Sequence, residues 1–516
     1  MSAASNANLF VALRGGFPAD LYQTAIETVE SDLCYTWRDV ERATAMFANL
    51  LDSLDLPASS RIAVQAEKSV ESLLFYLAVL RAGHIYLPLN TAYKSDEIGY
   101  FIGDAEPAVF VCRPSDFVWA SKLAFAAGTS HVFTLGDDRS GSLLARATHF
   151  DDAHIPAQRS ADDLAAILYT SGTTGRSKGA MLSHGNLLSN ALTLKSYWGW
   201  RTLAEGGDVL IHALSIFHVH GLFVASHGAL LAGAKMLWLA RFDAKAVVRE
   251  LPRASVFMGV PTLYVRLLDE PTLTREACQN MRVFISGSAP LLLDTFVQFA
   301  QRAGHTILER YGMSETVMLT SNPYDPEDGA RRGGTVGFPL PGVGVRVVDS
   351  DGVAMPTGAV GAIEVRGPNV FAGYWRMPEK TREEFTADGW FRTGDVGRID
   401  DDGYVSIVGR SKDLIISGGY NVYPAEIEGV LNDLPGIAES AVVGVPHRDF
   451  GEAVVAVVVA RAGVALDTEA LTRVLKAKIA NFKVPKAIFV VAELPRNAMA
   501  KVQKNLLRER HADLFA

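Results

Sequence analysis

The segment Tyr169–Gly179 has the composition of a phosphate-binding loop. It reads Tyr-Thr-Ser-Gly-Thr-Thr-Gly-Arg-Ser-Lys-Gly, so glycines and hydroxyl side chains stand beside the cations Arg176 and Lys178. Glycines let backbone N–H groups approach an anion closely, while hydroxyls and cations add donors and positive charge. The spacing of a Walker loop is absent. The composition therefore indicates a polyphosphate site of another kind, with an ordinary polar surface loop as the alternative.

A second segment, Glu309–Glu315, could contribute to a nucleotide site. It follows a strand-like run, His305–Leu308, and contains Tyr311 and Gly312, which offer a flat face for a base. Its serine could donate to a phosphate, and Glu315 could hold a hard cation such as Mg²⁺. A turn beside a core tyrosine is the alternative interpretation.

Two further positions carry polar groups that suit the same site. Asp395 follows the turn-like pair Thr393-Gly394, where its carboxylate could bind ribose hydroxyls. Lys501 lies on a polar loop near the C-terminus. Taken singly, such residues are also compatible with a turn-stabilising aspartate and a solvated lysine.

Hydrophobic patterning predicts the elements that would position these residues. Apolar runs predict strands at Arg61–Gln65 and, directly before the loop, at Leu164–Tyr169. Helical periodicity predicts helices from Thr36, over Ser69–Gly83 and, after the loop, over Ser183–Leu192. Alternation of strands and helices predicts parallel sheets with helices on both faces.

The pattern changes twice in the last third of the chain. Short strands with frequent glycine and proline predict a barrel-like antiparallel subdomain over about 333–410. A mixed helix and strand pattern follows a boundary near 410–412. We therefore expect an α/β fold with a large N-terminal domain of stacked αβ sheets (1–410, including the barrel-like subdomain). A small, mobile α+β C-terminal domain (411–516) would follow.

Composition excludes several classes of function. The 516 residues are 49% hydrophobic and 21% charged, as in multidomain globular enzymes, and the net charge of −8 argues against a nucleic-acid partner. The cysteines Cys34, Cys112 and Cys278 have no metal-binding spacing and indicate free thiols in a reducing compartment. A histidine and a lysine interrupt the most apolar window, Gly221–Ala240, and no secretory signal is recognisable. We expect a cytoplasmic protein that does not enter a membrane.

The order of these motifs resembles the adenylate-forming superfamily of acyl-CoA synthetases, nonribosomal-peptide adenylation domains and luciferases. The resemblance covers about residues 30–508 and rests on motifs in the family's order: Tyr169–Gly179, Phe217–Gly221, Tyr311–Glu315, Thr393–Asp395, Gly409–Asp413 and Lys501. Such enzymes use ATP and Mg²⁺ to convert a carboxylate into an acyl-adenylate with release of pyrophosphate, and a thiol then takes the acyl group. The resemblance implies ATP, Mg²⁺ and coenzyme A as cofactors.

The resemblance also implies roles for individual residues. Those implied to hold the phosphates are Thr170, Ser171, Gly172, Thr173, Thr174 and Lys178. Those implied to bind the rest of the nucleotide are Ser288, Ala289, Pro290, Glu309, Tyr311, Gly312, Met313, Ser314, Asp395 and Arg410. Glu315 and Thr170 would bind Mg²⁺. His218 would be catalytic, together with Glu315, Thr170, Lys178 and Lys501.

Two half-reactions are implied for the C-terminal domain. Lys501 would bridge the incoming carboxylate and the phosphate in the first half-reaction. Lys412 occupies the family's hinge position, and rotation there would carry Lys501 away and bring Gly418 and Gly419 up to line a thiol tunnel.

The lysine loop has a departure from the family and an implied regulation. The family usually has glycine before the lysine, and Ala500 stands here. If that position needs a positive φ, alanine costs about 1 kcal/mol or more. Acetylation of Lys501 by a lysine acetyltransferase would remove its charge and should stop the first half-reaction.

The acid is expected to be a small dicarboxylate. The residues implied to line the acyl pocket include His218, Val219, Ser286 and Met318. Pro261 begins a predicted helix on which Thr262 and Arg266 share a face, and relatives that act on neutral acids tend to carry a small apolar residue in place of Arg266. A buried arginine requires an anionic partner, which a second substrate carboxylate would supply. A surface pair of Arg266 with Asp269 or Glu270 is the alternative.

Within the superfamily, the chain is most similar to malonyl-CoA synthetases. They share the run Ser286–Pro290 and the Tyr-Gly-Met-Ser-Glu form of Tyr311–Glu315. The expected substrate is therefore malonate, with methylmalonate as a second candidate.

Three alternatives remain open. One is a CoA ligase for another short or aryl acid, and another is an adenylation enzyme that loads a carrier protein. No carrier attachment motif follows Lys504, which favours free CoA as the acceptor. The third alternative is a nucleotide-binding sensor without catalytic activity.

Overall fold

The computed structural model describes residues 6–31, 33–170, 177–417, 420–497 and 501–515. The chain divides into two units, one formed by 1–344 and 365–391 and the other by 345–364 and 392–516. Each unit has its own sheets and helices.

Several of the helices begin at a side chain that caps them. They are α1 (Leu9–Arg14), α2 (Trp37–Asp52), α3 (Val70–Arg81), α4 (Ser95–Ala105), α5 (Phe117–Ala126), α6 (Ser142–Ala147), α7 (His184–Tyr197), α8 (His227–Ala232), α9 (Ala244–Glu250), α10 (Pro261–Asp269), α11 (Leu293–Ala303), α12 (Pro378–Glu384), α13 (Pro424–Asn432), α14 (Thr468–Lys478) and α15 (Lys504–Arg510). Thr36, Ser69 and Ser183 each accept a hydrogen bond from the backbone three residues further on. The predicted helices that start at these three residues are confirmed.

The strands are short, as is usual for parallel sheets. The first fifteen are β1 (Thr24–Thr28), β2 (Cys34–Thr36), β3 (Arg61–Gln65), β4 (Ile85–Pro88), β5 (Val109–Cys112), β6 (His131–Thr134), β7 (Leu164–Thr170), β8 (Lys178–Ser183), β9 (Val209–His212), β10 (Lys235–Trp238), β11 (Val256–Gly259), β12 (Val283–Ser286), β13 (Leu308–Met313), β14 (Val317–Ser321) and β15 (Phe338–Pro339). The others are β16 (Gly344–Val348), β17 (Gly361–Arg366), β18 (Gly373–Tyr374), β19 (Phe391–Ile399), β20 (Val405–Arg410), β21 (Ile415–Ser417), β22 (Tyr420–Val422), β23 (Ile437–His447), β24 (Gly451–Ala460) and β25 (Ala487–Val491).

Two large sheets organise the first unit. One has the order β15-β14-β13-β12-β11-β9-β10-β1-β2, and the other has the order β18-β8-β7-β4-β3-β5-β6. Their inner pairs, such as β11 with β12, β12 with β13 and β3 with β4, are parallel. Every residue of β11, β12 and α3 is buried, because sheets and helices cover one another. The predicted parallel sheets with covered faces are confirmed.

The chain after the predicted phosphate loop differs from the sequence prediction. The expected strand is present as β7, but β8 follows it before the helix begins at His184. The two strands are antiparallel, with Thr170 opposite Lys178. Strands β7 and β8 therefore form a hairpin, and the chain after β7 leads to a second strand before the helix rather than directly to the helix. A six-residue run that contains lysine and glycine was too polar to be recognised as a strand.

The strand around Tyr311 also differs from the prediction. The strand begins at Leu308 and continues through Met313, so Tyr311 and Gly312 lie inside β13 rather than beyond its end. The register with β14 shifts between Tyr311 and Gly312. A Cβ at Gly312 would overlap the carbonyl oxygen of Val317, so the close approach of β14 requires glycine there.

The second unit contains a four-stranded and a five-stranded sheet. The region predicted to be barrel-like holds the order β16-β17-β19-β20, in which β19 and β20 are antiparallel. The other sheet has the order β22-β21-β24-β23, with β25 parallel to β24. Helices α13 and α14 cover one side of it through Leu431 and Leu475, and α15 covers the other through Leu507. The boundary predicted near 410–412 falls inside this unit, at the end of β20, and stays a prediction.

Two sequence expectations concern the chain as a whole. The three cysteines are free thiols, as predicted. Among the helices that the structure describes, none has the length and apolar character needed to cross a membrane.

Candidate active site

The ends of the predicted phosphate loop lie side by side on β7 and β8. Thr170 ends β7 and Lys178 begins β8, and the Thr170 hydroxyl donates to the carbonyl oxygen of Lys178 at 3.4 Å. The residues between them that were predicted to bind phosphate lie outside the described residues; they are Ser171, Gly172, Thr173 and Thr174. The hairpin therefore determines where the loop leaves and rejoins the sheet.

Lys178 lies in a cluster that sequence analysis did not find. Its Nζ is 3.5 Å from Glu384 Oε1 and 4.2 Å from the centroid of the Tyr374 ring. The Tyr374 hydroxyl donates to Glu315 Oε1 at 3.0 Å. Tyr374 thus connects the predicted phosphate cation with the predicted metal ligand. Only the pairing of β18 with β8 brings it there, and no sequence spacing indicates that pairing.

Glu315 has surroundings that fit a magnesium ligand. It is 5% exposed in the turn between β13 and β14, and no cationic side chain of the described residues pairs with it. The parts of the chain that the structure describes contain no group of three His, Cys, Asp or Glu residues that would hold a metal alone. Mg²⁺ is usually bound by one or two carboxylates together with substrate phosphates. Glu315, with Thr170 as the second predicted ligand, fits a Mg²⁺ of that kind.

The predicted nucleotide residues of the first unit lie on β13 and on the turn after β12. Tyr311, Gly312, Met313 and Ser314 are half-buried, while Ala289 and Pro290 are exposed. Ser288 has a φ of 72°, a left-handed conformation that is uncommon for serine and is found at functional sites. The structure therefore places these residues on neighbouring strand ends of one sheet.

Glu309 is buried with one carboxylate oxygen free. Its Oε1 accepts a hydrogen bond from the Leu291 backbone at 2.9 Å, and its Oε2 has no partner among the described residues. Burial raises the pKa of Glu309 to about 8. The side chain can therefore carry a proton at neutral pH and donate as well as accept hydrogen bonds.

Arg310, the next residue of β13, is a buried cation that sequence analysis missed. It is 2% exposed, and its Nε and Nη2 have no hydrogen-bond partner among the described residues. A Cβ at Gly287 would overlap its guanidinium group. Burial lowers the pKa of Arg310 to about 9, so it still carries its charge at neutral pH. An unsatisfied buried cation is costly, which indicates that an anionic ligand completes its environment.

Glu309 and Arg310 point to opposite sides of the sheet. Successive side chains of a strand alternate between its faces. Glu309 contacts Leu291, whereas Arg310 lies by Gly287 and has Tyr264, His220 and Glu309 itself as electrostatic neighbours. The two side chains therefore have different contacts, although their charges interact.

Some of the predicted acid-binding residues, those around His218, lie near Arg310. His220 is fully buried, and its Nδ1 lies 3.4 Å from the Ser288 hydroxyl oxygen. The backbone N–H of His220 donates to His218 Nδ1 at 3.3 Å. Burial holds the pKa of His220 well below its usual value, so the ring is neutral. His220 also begins a π-helix, His220–Ser226, that is preceded by the buried Val219. These contacts bring His218, His220 and Ser288 together.

Two other predicted acid-binding residues are buried in the same sheet. Ser286 ends β12 and its hydroxyl has no hydrogen-bond partner among the described residues. Met318 lies on β14 opposite Gly312, and its carbonyl oxygen accepts hydrogen bonds from Asn190 and Asn369. Ser286 thus offers a free polar atom, while the backbone of Met318 is already satisfied.

Arg266 is exposed, whereas its predicted function requires it to be buried. Thr262 and Arg266 do share a face of α10, but that face is exposed, because Leu263, Tyr264 and Leu267 form the buried one. The assumption that Arg266 is buried is wrong. The alternative is also absent, since Arg266 forms no ion pair with the described residues. A role for it in substrate binding stays a prediction.

The second unit holds the remaining predicted residues. Arg410 Nε lies 2.7 Å from Asp395 Oδ1 on the adjacent strand, and Arg410 also donates to the Thr393 carbonyl oxygen at 3.1 Å. Lys412 is exposed in a 3₁₀ turn, Ser411–Asp413.

The backbone of Lys501 forms two hydrogen bonds with Asn497. Its N–H donates to Asn497 Oδ1 at 3.0 Å, and its carbonyl oxygen accepts from the Asn497 N–H at 2.9 Å. Gly418 and Gly419, which were predicted to line the thiol tunnel, lie outside the described part of the chain, and so does Ala500.

Comparison with known proteins gives matches over most of the chain. Residues 21–375 match the AMP-binding enzyme family, and residues 426–501 match the AMP-binding enzyme C-terminal domain. The chain belongs to the AMP-binding enzyme family. The predicted membership of the adenylate-forming superfamily is thereby confirmed.

Three relatives show how broad the similarity of this AMP-binding enzyme is. The crystal structure of ATP-bound MatB from Rhodopseudomonas palustris is 52% identical, with a TM-score of 0.95 over 99% of this chain and 100% of that chain. A malonate–CoA ligase from Arabidopsis thaliana is 34% identical over 87% of this chain and 78% of its own length. A feruloyl-CoA synthase from Amycolatopsis sp is 33% identical over 92% and 94%.

Proposed function

We propose that this AMP-binding enzyme is an ATP-dependent malonate–CoA ligase, which produces malonyl-CoA, AMP and pyrophosphate. The observation that carries the proposal is Arg310, a buried guanidinium with two donors that no described residue satisfies. The similarity to the malonate–CoA ligase of A. thaliana supports the same acid. Methylmalonate, which has the same two carboxylates, is the second candidate substrate.

The charge of Arg310 favours a dicarboxylate over a neutral acid. One carboxylate of malonate must stay free to react, so the other needs a partner in the pocket. A guanidinium binds a carboxylate through two parallel, charge-assisted hydrogen bonds. A neutral acid would leave the buried charge unpaired, which costs free energy. The sequence argument for an anionic partner therefore applies to Arg310 and not to the exposed Arg266.

The proposed reaction has two steps, adenylation of malonate and transfer of the acyl group to CoA. In the first, a malonate oxygen forms a bond to the α-phosphorus of ATP, and the bond between the α- and β-phosphates breaks, which releases pyrophosphate. In the second, the CoA sulfur bonds to the activated carbonyl carbon, AMP leaves and the thiol proton is released. Both steps gather negative charge around the phosphates, so donors and cations aimed at them lower the barrier.

The residues of the phosphate loop and Glu315 serve the first step. Lys178 counters the charge of the leaving pyrophosphate, and Tyr374 keeps Glu315 oriented through its hydroxyl. Mg²⁺, when bound by Glu315 and Thr170 together with the phosphates, supplies further positive charge. Ser314 donates to the α-phosphate side.

Other predicted residues keep their proposed roles. Tyr311 stacks near adenine, Asp395 and Arg410 hold the ribose, and Lys501 serves the incoming carboxylate. Gly418 and Gly419 line the path of the thiol. We also retain a cytoplasmic location, and a lysine acetyltransferase that modifies Lys501, as predictions.

A substrate panel tests the proposal. The rate of acid-dependent ATP–pyrophosphate exchange, and of CoA-dependent AMP release, would be measured with malonate, methylmalonate, acetate, a medium-chain acid and ferulate. We expect the highest kcat/KM with malonate. A higher kcat/KM for a neutral acid would overturn the dicarboxylate assignment, and ATP binding without pyrophosphate release would indicate a sensor.

A further inference from the structure

One face of helix α4 contacts both ends of the predicted phosphate loop. The Tyr100 hydroxyl donates to the carbonyl oxygen of Ser177, the residue before Lys178, at 2.8 Å. The hydroxyl of Tyr169, the first residue of the loop, donates to the Asp104 carboxylate. Tyr100 and Asp104 are four residues apart, so they lie one above the other on the same side of the helix.

Neighbouring contacts tie the same helix face to the strands of the hairpin. Phe101 packs against the Tyr169 ring, with centroids 4.6 Å apart. The Trp375 indole donates to the Asp104 carbonyl oxygen at 3.1 Å, and its backbone N–H donates to the Gly179 carbonyl oxygen at 2.7 Å. Tyr169 and Ser177, near the two ends of the loop, are therefore both held against α4.

We propose that Tyr100 and Asp104 are positioning residues for ATP: they hold Tyr169 and Ser177, and so keep the adjacent Thr170 and Lys178 side by side as ligands of the phosphates and their Mg²⁺. Groups that are already held in place lose less conformational entropy when the ligand binds.

The polarity of these contacts argues for positioning rather than simple packing. Phe101 already fills the apolar space beside Tyr169. A phenylalanine at position 169 or 100 would pack equally well there, but only the hydroxyls give directional bonds to Asp104 and to the Ser177 backbone. The inference rests on the proposed function because it assumes that ATP binds at this loop, but it does not depend on which acid is activated.

Equilibrium binding of ATP tests the inference without any acid. Mg·ATP would be titrated into the full-length wild type and into Tyr100→Phe, Asp104→Ala and Asp104→Asn variants by calorimetry. We expect the Kd to rise about three- to tenfold in Tyr100→Phe and Asp104→Ala, the range for one net hydrogen bond. Asp104→Asn, whose amide oxygen can still accept from Tyr169, should restore most of the affinity.

The matched control lies at the end of the same helix. Glu106 pairs with Arg376 in solvent, with side chains that are 51% and 45% exposed. The Glu106→Gln variant should bind ATP as the wild type does. Steady-state kinetics should show a raised KM for ATP in the two affected variants, with the KM values for the acid and for CoA little changed.

Two outcomes would overturn the inference. One is an unchanged Kd in folded Tyr100→Phe and Asp104→Ala proteins, and the other is an equal rise of the KM for all three substrates. A wild type that binds ATP but does not activate malonate would refute the proposed acid and leave the positioning test intact.

Discussion

At the scale of single residues, substitutions of Arg310 and Arg266 are expected to differ in their effect on acid selectivity. Arg310 is buried with unsatisfied donors, and Arg266 is exposed on α10. An Arg310→Met variant should lower kcat/KM for malonate by about 30-fold or more, since a buried charge pair is lost. Acetate, which has no second carboxylate, should lose much less.

The same experiment separates selectivity from damage to the fold. Replacing a buried charge by an apolar residue of similar size is often neutral or stabilising, so Arg310→Met should melt near the wild-type temperature. Arg266→Ala is the comparison variant. Equal losses for every acid in Arg310→Met, with a malonate-selective loss in Arg266→Ala, would reverse the assignment.

Residue types were predictable from the sequence, but burial was not. The motif Glu309–Glu315 was predicted to be part of a nucleotide site, yet Arg310 received no role because the strand was expected to end at Leu308. With β13 extended to Met313, the alternation of side chains distinguishes position 309 from position 310. The burial of Arg266 was wrongly assumed for a related reason. The buried face of α10 contains Leu263 and Leu267, and Arg266, the residue before Leu267, lies outside that face.

At the scale of elements, one carboxylate holds together the starts of three strands. Asp208 precedes β9, and its carboxylate accepts from Ser255, which precedes β11, at 2.7 Å and from Arg282, which precedes β12, at 2.9 Å. Its side chain is fully buried. Burial opposes ionisation and is the largest single influence, but the hydrogen bond and charge of Arg282, together with hydrogen bonds from Arg201 and Ser255, outweigh it and hold the pKa of Asp208 below its usual value.

An Asp208→Asn variant should therefore be destabilised by about 3 kcal/mol or more, because Arg282 would lose its buried partner. Thermal unfolding checks this, with Asp152→Asn as the control, since Asp152 pairs with Arg42 on the surface and should contribute within about 0.5 kcal/mol. A lowered folded pKa gives stability that is complete above the unfolded value of about 4 and is lost below it. The difference in Tm between the wild type and Asp208→Asn should thus stay constant from pH 8 to pH 5. A difference that narrows within this range would contradict the lowered pKa of Asp208.

Elements with a strong periodic pattern were predictable, while those defined by pairing were not. Strands such as Arg61–Gln65 and the capped helix starting after Ser69 lie where the sequence predicts them. Strand β8 was missed because its stability comes from hydrogen bonds with β7 and β18 rather than from an apolar run of its own. The contact of Tyr374 with Lys178 depends on the same pairing, so it was invisible for the same reason.

At the scale of the whole molecule, Lys501 allows the two half-reactions to be separated. A Lys501→Gln variant, which mimics acetylation, should lose malonate-dependent pyrophosphate exchange by about 100-fold or more, because one charged contact in the transition state is lost. Its conversion of synthetic malonyl-adenylate and CoA into malonyl-CoA should stay close to the wild-type rate. Measurement of both reactions on the same preparation provides the internal control, and normal pyrophosphate exchange would refute the proposed role.

The two-part organisation of the chain was predictable in outline. The boundary expected near Gly333 stays a prediction, since the second unit takes up residues 345–364 as well as 392–516. Sequence reading treats the chain as consecutive blocks, so it does not foresee that the intervening segment 365–391 returns to the first unit and supplies Tyr374 and Glu384.

The adjacent placement of Glu309 and Arg310 has a consequence for how such enzymes diverge. A substitution at 310 removes the guanidinium beside Gly287 and leaves the hydrogen bond of Glu309 with Leu291 in place, so the proposed acid-binding group can change without the loss of that contact. A descendant gene could acquire a new substrate by altering one codon and inherit its ATP chemistry unaltered.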